Sequence, residues 1–208
     1  MSGMRKLSPE ERDRIEAAVA AAEKRTSAEF AVVVARASDD YALFPLLWAA
    51  LLALVTGGAI AIATPMLSVG ISFAIQAGAF FTASLLLHLP FLRPRLVPPS
   101  VQRECADRLA RLQFASLVNE QTRGDVGLLL FVSLAERHVE ILADNGIAAR
   151  IPQAAFQNII DAFIRDVHQG KIADGFIAAI ERCTLLLQQH FPARPDDPDE
   201  IVNRVTEI

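Results

Sequence analysis

Glu29, Asp125 and Asp144 each border an apolar run that reads as a β-strand, and carboxylates at strand ends are the donors a hard cation needs. Ca²⁺ takes about six to eight oxygens, so these three residues with nearby carbonyls could hold Ca²⁺ or another divalent cation if their loops converge. The same residues also have ordinary structural uses. Asp144-Asn145-Gly146 is turn chemistry suited to any strand exit, and Asp125 follows Gly124 in a loop. Arg123 could meet a phosphate oxygen, yet no glycine-rich cradle or P-loop accompanies it, and Glu120 or Asp125 offers it a surface ion pair. No serine occupies a nucleophile elbow, and neither His168 nor His190 has a sequence neighbour that marks it as a base. No residue is assigned a catalytic role.

Cys105 and Cys183 are the only cysteines, and each falls on the apolar stripe of an expected helix. Both read as core packing, because two isolated cysteines without a nearby histidine lack the spacing of a zinc motif. The formal net charge of −4, with acids and bases interspersed, leaves no basic footprint for nucleic acid.

The elements that position these residues are legible in the apolar pattern. Ser8-Pro9-Glu10-Glu11 is a capping box with proline at the first helical position, and Ile15, Ala18, Val19 and Ala22 follow at helical spacing. Glu29 to Ala35 is a β-branched run with almost no polar member, as expected of a strand covered on both faces. Pro98-Pro99-Ser100 introduces a helix with Val101, Cys105, Leu109 and Leu112 on its apolar face. Gly127 to Val132 is a second apolar strand, and after a short turn Arg137 to Leu142 alternates at period two, as an edge strand with one wet face does. Two helices follow, one with Phe156, Ile160, Phe163 and Val167 inward and ending near Gly170, the other with Phe176, Ile180, Cys183 and Leu187 inward. Residues 193–208 read as a polar, solvated tail with at most a short helix over Ile201 to Val205.

Between the first strand and the helix introduced by Pro98-Pro99-Ser100 lies a stretch of another kind. From Tyr41 to Leu92 there is no Asp, Glu, Lys or Arg, and Ala63-Thr64-Pro65-Met66 breaks the run near its middle. At ~1.5 Å per residue each half spans roughly the hydrocarbon core of a bilayer, so 43–90 reads as a transmembrane hairpin. Both termini are expected in the cytoplasm, because cations flank the hairpin and its turn has none. Tyr41, Trp48, Arg93 and Arg95 suit interfacial anchors, His88 snorkelling, and Gly57, Gly58, Gly70 and Gly78 close helix packing. A hairpin returns the chain to its starting side, so residues 1–40 and 93–192 can form one discontinuous α/β domain. The element order gives a three-layer α/β/α arrangement on a small mixed sheet, the first two strands parallel and the third antiparallel. Asp39, Asp40, Glu136 and His138 then fall at the sheet edge next to the hairpin, and Glu29, Arg123, Asp125, Asp144 and Asn145 at the far edge.

Three segments in this order resemble the TPM domain: Glu23-Lys24-Arg25-Thr26-Ser27-Ala28-Glu29, Thr122-Arg123-Gly124-Asp125-Val126-Gly127-Leu128-Leu129-Leu130, and Glu136 through Ile147. A bacterial membrane subgroup with spans inserted after the first strand is the nearest resemblance. It implies an α/β/α fold and, for some members, divalent-cation binding and acid-phosphatase activity at acidic loop residues, onto which Asp125 and Asp144 fall. The run Gly146-Ile147-Ala148-Ala149-Arg150 departs from the family pattern in carrying no acid. Two functions follow as expectations: an inner-membrane interaction or quality-control module for membrane protein complexes, or a cation-dependent phosphatase.

Overall fold

Ser8 starts the first element as the sequence predicts: its hydroxyl accepts from Glu11 N, and the Glu11 carboxylate accepts from Ser8 N. The computed structural model describes residues 7–89, 92–119, 126–193 and 205–208. The elements are α1 (Pro9–Glu23), β1 (Glu29–Ala35), α2 (Leu43–Ala63), α3 (Val69–Leu87), a 3₁₀ turn (Arg93–Leu96), α4 (Pro99–Phe114), a π turn (Ala115–Asn119), β2 (Gly127–Ser133), β3 (His138–Ala143), α5 (Asn145–Ala148), α6 (Ala154–His168), α7 (Ile172–Leu187) and β4 (Val205–Glu207). They form two compact units, Met1–Ser38 with Arg103–Ile208, and Asp39–Gln102.

The first unit is built on a four-stranded mixed sheet of order β3-β2-β1-β4. β1 runs parallel to β2 with Glu29 opposite Gly127, and β2 runs antiparallel to β3 with Ser133 opposite His138. Every residue of β1 and β2 is buried, because helices cover both sheet faces. On one face Phe30, Val32, Val34, Leu128, Leu130 and Ile141 meet α1, α6 and α7. On the other, Ala31, Val33, Ala35, Leu129 and Phe131 meet α4 and the π turn. This is the expected three-layer α/β/α fold. α7 buries Phe176, Ile180, Cys183 and Leu187 as its spacing predicts, and Gly170 ends the α6 segment at φ 80°, a conformation open to glycine.

Two expectations are corrected here. The end of the chain is not a free polar tail: Val205–Glu207 pairs parallel with β1, Val32 opposite Val205. Arg12 holds Glu207 at 2.6 Å and Glu16 accepts from Val205 N at 3.0 Å, so polar partners from α1 anchor a strand whose one buried apolar residue is Val205. Residues 201–204 of the expected short helix lie outside the described residues. In α4 the buried residues are Ala106 and Ala110, while Leu112 is 61% exposed and Cys105 only half-buried. Alanines face the sheet because small side chains let the helix approach β1, whose residues on that face are themselves Ala31, Val33 and Ala35.

The second unit contains α2 and α3, joined by a short turn and packed antiparallel. Pro45, Ala49 and Ala53 are buried at a spacing of one helical turn, and Gly57 continues that stripe against the Gln76 side chain. Gly58, Gly70 and Gly78 have open space where a Cβ would stand, so only Gly57 serves the close packing expected of all four. Trp48 Nε1 donates to the Leu96 carbonyl at 3.1 Å, and His88 Nδ1 to that of Ser84 at 2.8 Å. Both helices are long and apolar enough to cross a membrane.

Candidate functional site

Of the three carboxylates expected to hold a cation, Glu29 and Asp144 lie at one end of the sheet, around Gly127, and Asp125 is outside the described residues together with Arg123. Glu29 sits directly across from Gly127, and its N–H donates to the Val126 carbonyl at 2.9 Å. Asp144 is buried and caps α5: Oδ1 accepts from Ile147 N at 3.1 Å, while Oδ2 accepts from Gly127 N at 2.6 Å. Gly127 returns the bond, its carbonyl accepting from Asp144 N at 3.0 Å. The Asp-Asn-Gly run expected to be a turn is therefore the start of a one-turn helix, locked by its aspartate to the entry of β2. Asn145 is the first residue of that helix.

At the opposite end, Glu136 and His138 go separate ways. The Glu136 carboxylate accepts from Ser38 N at 3.0 Å and from the buried Ser133 hydroxyl, and Ser38 Oγ lies 3.0 Å from Ser133 Oγ. This clasp joins the β2–β3 turn to the segment leaving β1. Arg137 completes the turn at φ 53°, a left-handed position that an arginine occupies at some strain.

His138 instead faces α4. His138 and Glu140 alternate with the buried Val139 and so share one face of β3, where Asp107 of α4 reaches them. His138 Nε2 lies 3.0 Å from Asp107 Oδ1 and 3.7 Å from Glu140 Oε2. Both Nε2 and Oε2 are shielded from solvent, and neither makes a directed hydrogen bond among the described residues. Asp107 was absent from the sequence-derived set because its neighbours along α4 carry no motif. The period-two pairing of His138 with Glu140 was the one available signal.

A shallow groove of about 490 Å³ runs between α6 and α7, floored by Ala155, Ile159 and Ala162 and edged by Arg165 and Arg182. It contains no pairing of nucleophile and base.

A helix-covered mixed sheet, Asp144 capping α5 at one end and a histidine–carboxylate cluster on one face of β3 define an α/β/α domain. Residues 96–185 match the TPM domain family, from the 3₁₀ turn through most of α7. Over its whole length it is similar in structure to the BA42 protein of the psychrophilic bacterium Bizionia argentinensis, solved by NMR. The similarity covers 100% of both chains at 20% identity, with a TM-score of 0.61, and at that identity it speaks for the fold. No curated protein matches the chain.

Proposed function

We propose that the chain is an integral membrane protein whose TPM domain works beside the bilayer as an interaction or quality-control module for membrane protein complexes. The observation that carries this reading is the exposure of the two apolar helices. Only 11% of the apolar window of α2, and none of that of α3, is buried, although their mean hydropathies are 2.3 and 1.7. A core helix of those hydropathies would be covered by protein; these two instead present Leu47, Leu54, Ile62, Phe73, Phe81 and Leu85 outward. Thr56, Thr64 and Ser72 return their hydroxyls to carbonyls four residues back, leaving little polar demand along the spans. The cationic flanks support a cytoplasmic side for both termini, and the resemblance to a bacterial membrane subgroup supports the inner membrane as the location.

The test combines topology with turnover. Reporter fusions at the two termini should both report the cytoplasm, and crosslinking in native membranes should capture a membrane protein; termini in opposite compartments refute the reading. The alternative, a cation-dependent phosphatase, draws on the shared sheet end of Glu29 and Asp144 and on the family resemblance. Phosphate release that requires Ca²⁺ or Mg²⁺ and disappears in Glu29→Gln would replace the interaction reading with that one.

A further inference from the structure

We infer that Asp107, His138 and Glu140 form a binding site for a first-row transition-metal dication of the Zn²⁺ type, separate from the sheet end that carries Glu29 and Asp144. The site lies wholly within the sheet-bearing unit and does not depend on the membrane reading.

The first argument is geometric. Zinc bonds of about 2.0–2.2 Å place neighbouring ligand atoms of a tetrahedron roughly 3.3–3.5 Å apart. The observed separations from His138 Nε2, 3.0 Å to Asp107 Oδ1 and 3.7 Å to Glu140 Oε2, bracket that value, and all three atoms lie within 4.8 Å of one another. A rotation of the Asp107 side chain, which is 44% exposed, can lengthen its 3.0 Å separation from Nε2 toward that value.

The second argument is what these atoms lack. Nε2 and Glu140 Oε2 are out of contact with water and have no directed hydrogen bond among the described residues, a costly arrangement unless something supplies a bond. A cation bound by all three satisfies both at once. Two carboxylates and a neutral imidazole sum to two negative charges, which a dication balances. Arg108, next to Asp107 in α4, reaches Glu104 at 3.4 Å instead.

The donor set selects the metal class. One imidazole and two carboxylates are too few for Ca²⁺ and include a nitrogen that Mg²⁺ does not favour, whereas Zn²⁺ accepts three protein ligands and leaves a fourth position for water. Phe131, fully buried and directly across from Glu140, closes the inner wall, and the exposed side of Asp107 leaves an entry. His138 and Glu140 are fixed by the strand, so the site is largely formed before the ion arrives.

The test uses the full chain, untagged, stripped of metal and held in a mild non-ionic detergent. Titration with Zn²⁺ should show one tight equivalent, and Co²⁺ in its place should give the intense visible absorption of a four-coordinate site. Asp107→Asn, His138→Gln and Glu140→Gln should each weaken Zn²⁺ binding at least tenfold, whereas Glu29→Gln should not. Asp107→Asn is the decisive variant, since a half-exposed helix residue can lose its charge without disturbing the core. The inference is overturned if the wild type takes up no stoichiometric Zn²⁺, if Asp107→Asn binds as tightly as the wild type, if excess Ca²⁺ displaces the ion, or if Co²⁺ gives only the weak spectrum of an octahedral site.

Discussion

Replacing Asp144 with alanine isolates the role of a carboxylate that family resemblance assigns to cation chemistry and that the structure occupies with backbone hydrogen bonds. Its two oxygens take N–H groups from Gly127 and Ile147, both inside the core. A buried donor left without a partner costs about 1–3 kcal/mol, and loss of a helix cap about 1 kcal/mol, the latter overlapping with the Ile147 bond. Asp144→Ala should therefore destabilise the sheet-bearing unit by about 2–4 kcal/mol. Intrinsic fluorescence cannot follow it, because the single tryptophan and single tyrosine, Trp48 and Tyr41, both belong to the other unit. Cys183 can: it is buried in α7, and desolvation pushes its thiol up to about 12, so a thiol reagent at pH 8 modifies it only when the unit opens. In a Cys105→Ser background the labelling rate then reports the open fraction. At tenfold per 1.4 kcal/mol, Asp144→Ala should speed labelling about 30- to 1000-fold. Asp144→Asn keeps one acceptor but turns an amide donor toward another N–H, so it should recover only part of that loss. Labelling of Asp144→Ala within threefold of the parent would refute the capping argument, and would restore Asp144 as a free ligand candidate.

Two further outcomes follow from the core. The Cys183 thiol keeps its proton in the folded chain through a range in which the unfolded chain, at 9.0, loses it. Its contribution to stability is thus complete below about pH 9 and declines by ~1.4 kcal/mol per pH unit as the pH rises toward 12. Urea melts of Cys183→Ala should lack that alkaline decline; an unchanged pH profile would argue against it. In α7, a Cβ at Gly175 would stand 3.3 Å from Asp166 Cβ and 3.4 Å from Phe163 Cδ2. Gly175→Ala should stay within about 1 kcal/mol of wild type, because improved helix propensity offsets mild crowding, whereas Gly175→Leu should lose about 1–3 kcal/mol by urea titration.

The elements that were legible in the sequence are those whose signals are local. The Ser8–Glu11 box, the unbroken apolar runs of β1 and β2, the alternation of β3 and the one-turn spacing of Phe176, Ile180, Cys183 and Leu187 each announce themselves within a few residues. What stayed hidden depends on distant partners. β4 is three residues with one buried valine, and only its pairing with β1 and the side chains of Arg12 and Glu16 make it a strand. On the inward face of α4 hydropathy favours Val101 and Leu112 over Ala106 and Ala110, whereas close approach to the sheet favours alanine. Asp107 joined no sequence-derived set, since what brings it to His138 is the crossing of a helix over an edge strand, which no spacing rule encodes.

β1 is the central hydrophobic element of its sheet, yet both strands that pair with it come later in the chain, β2 only after the entire apolar hairpin and β4 at the far end. During synthesis on the ribosome, Phe30, Val32 and Val34 therefore emerge with no strand to bond their backbone and with only α1 ahead of them to cover one side. The nascent segment stays without a pairing strand for as long as α2 and α3 are being translated, an aggregation-prone interval that ends only when Gly127 arrives.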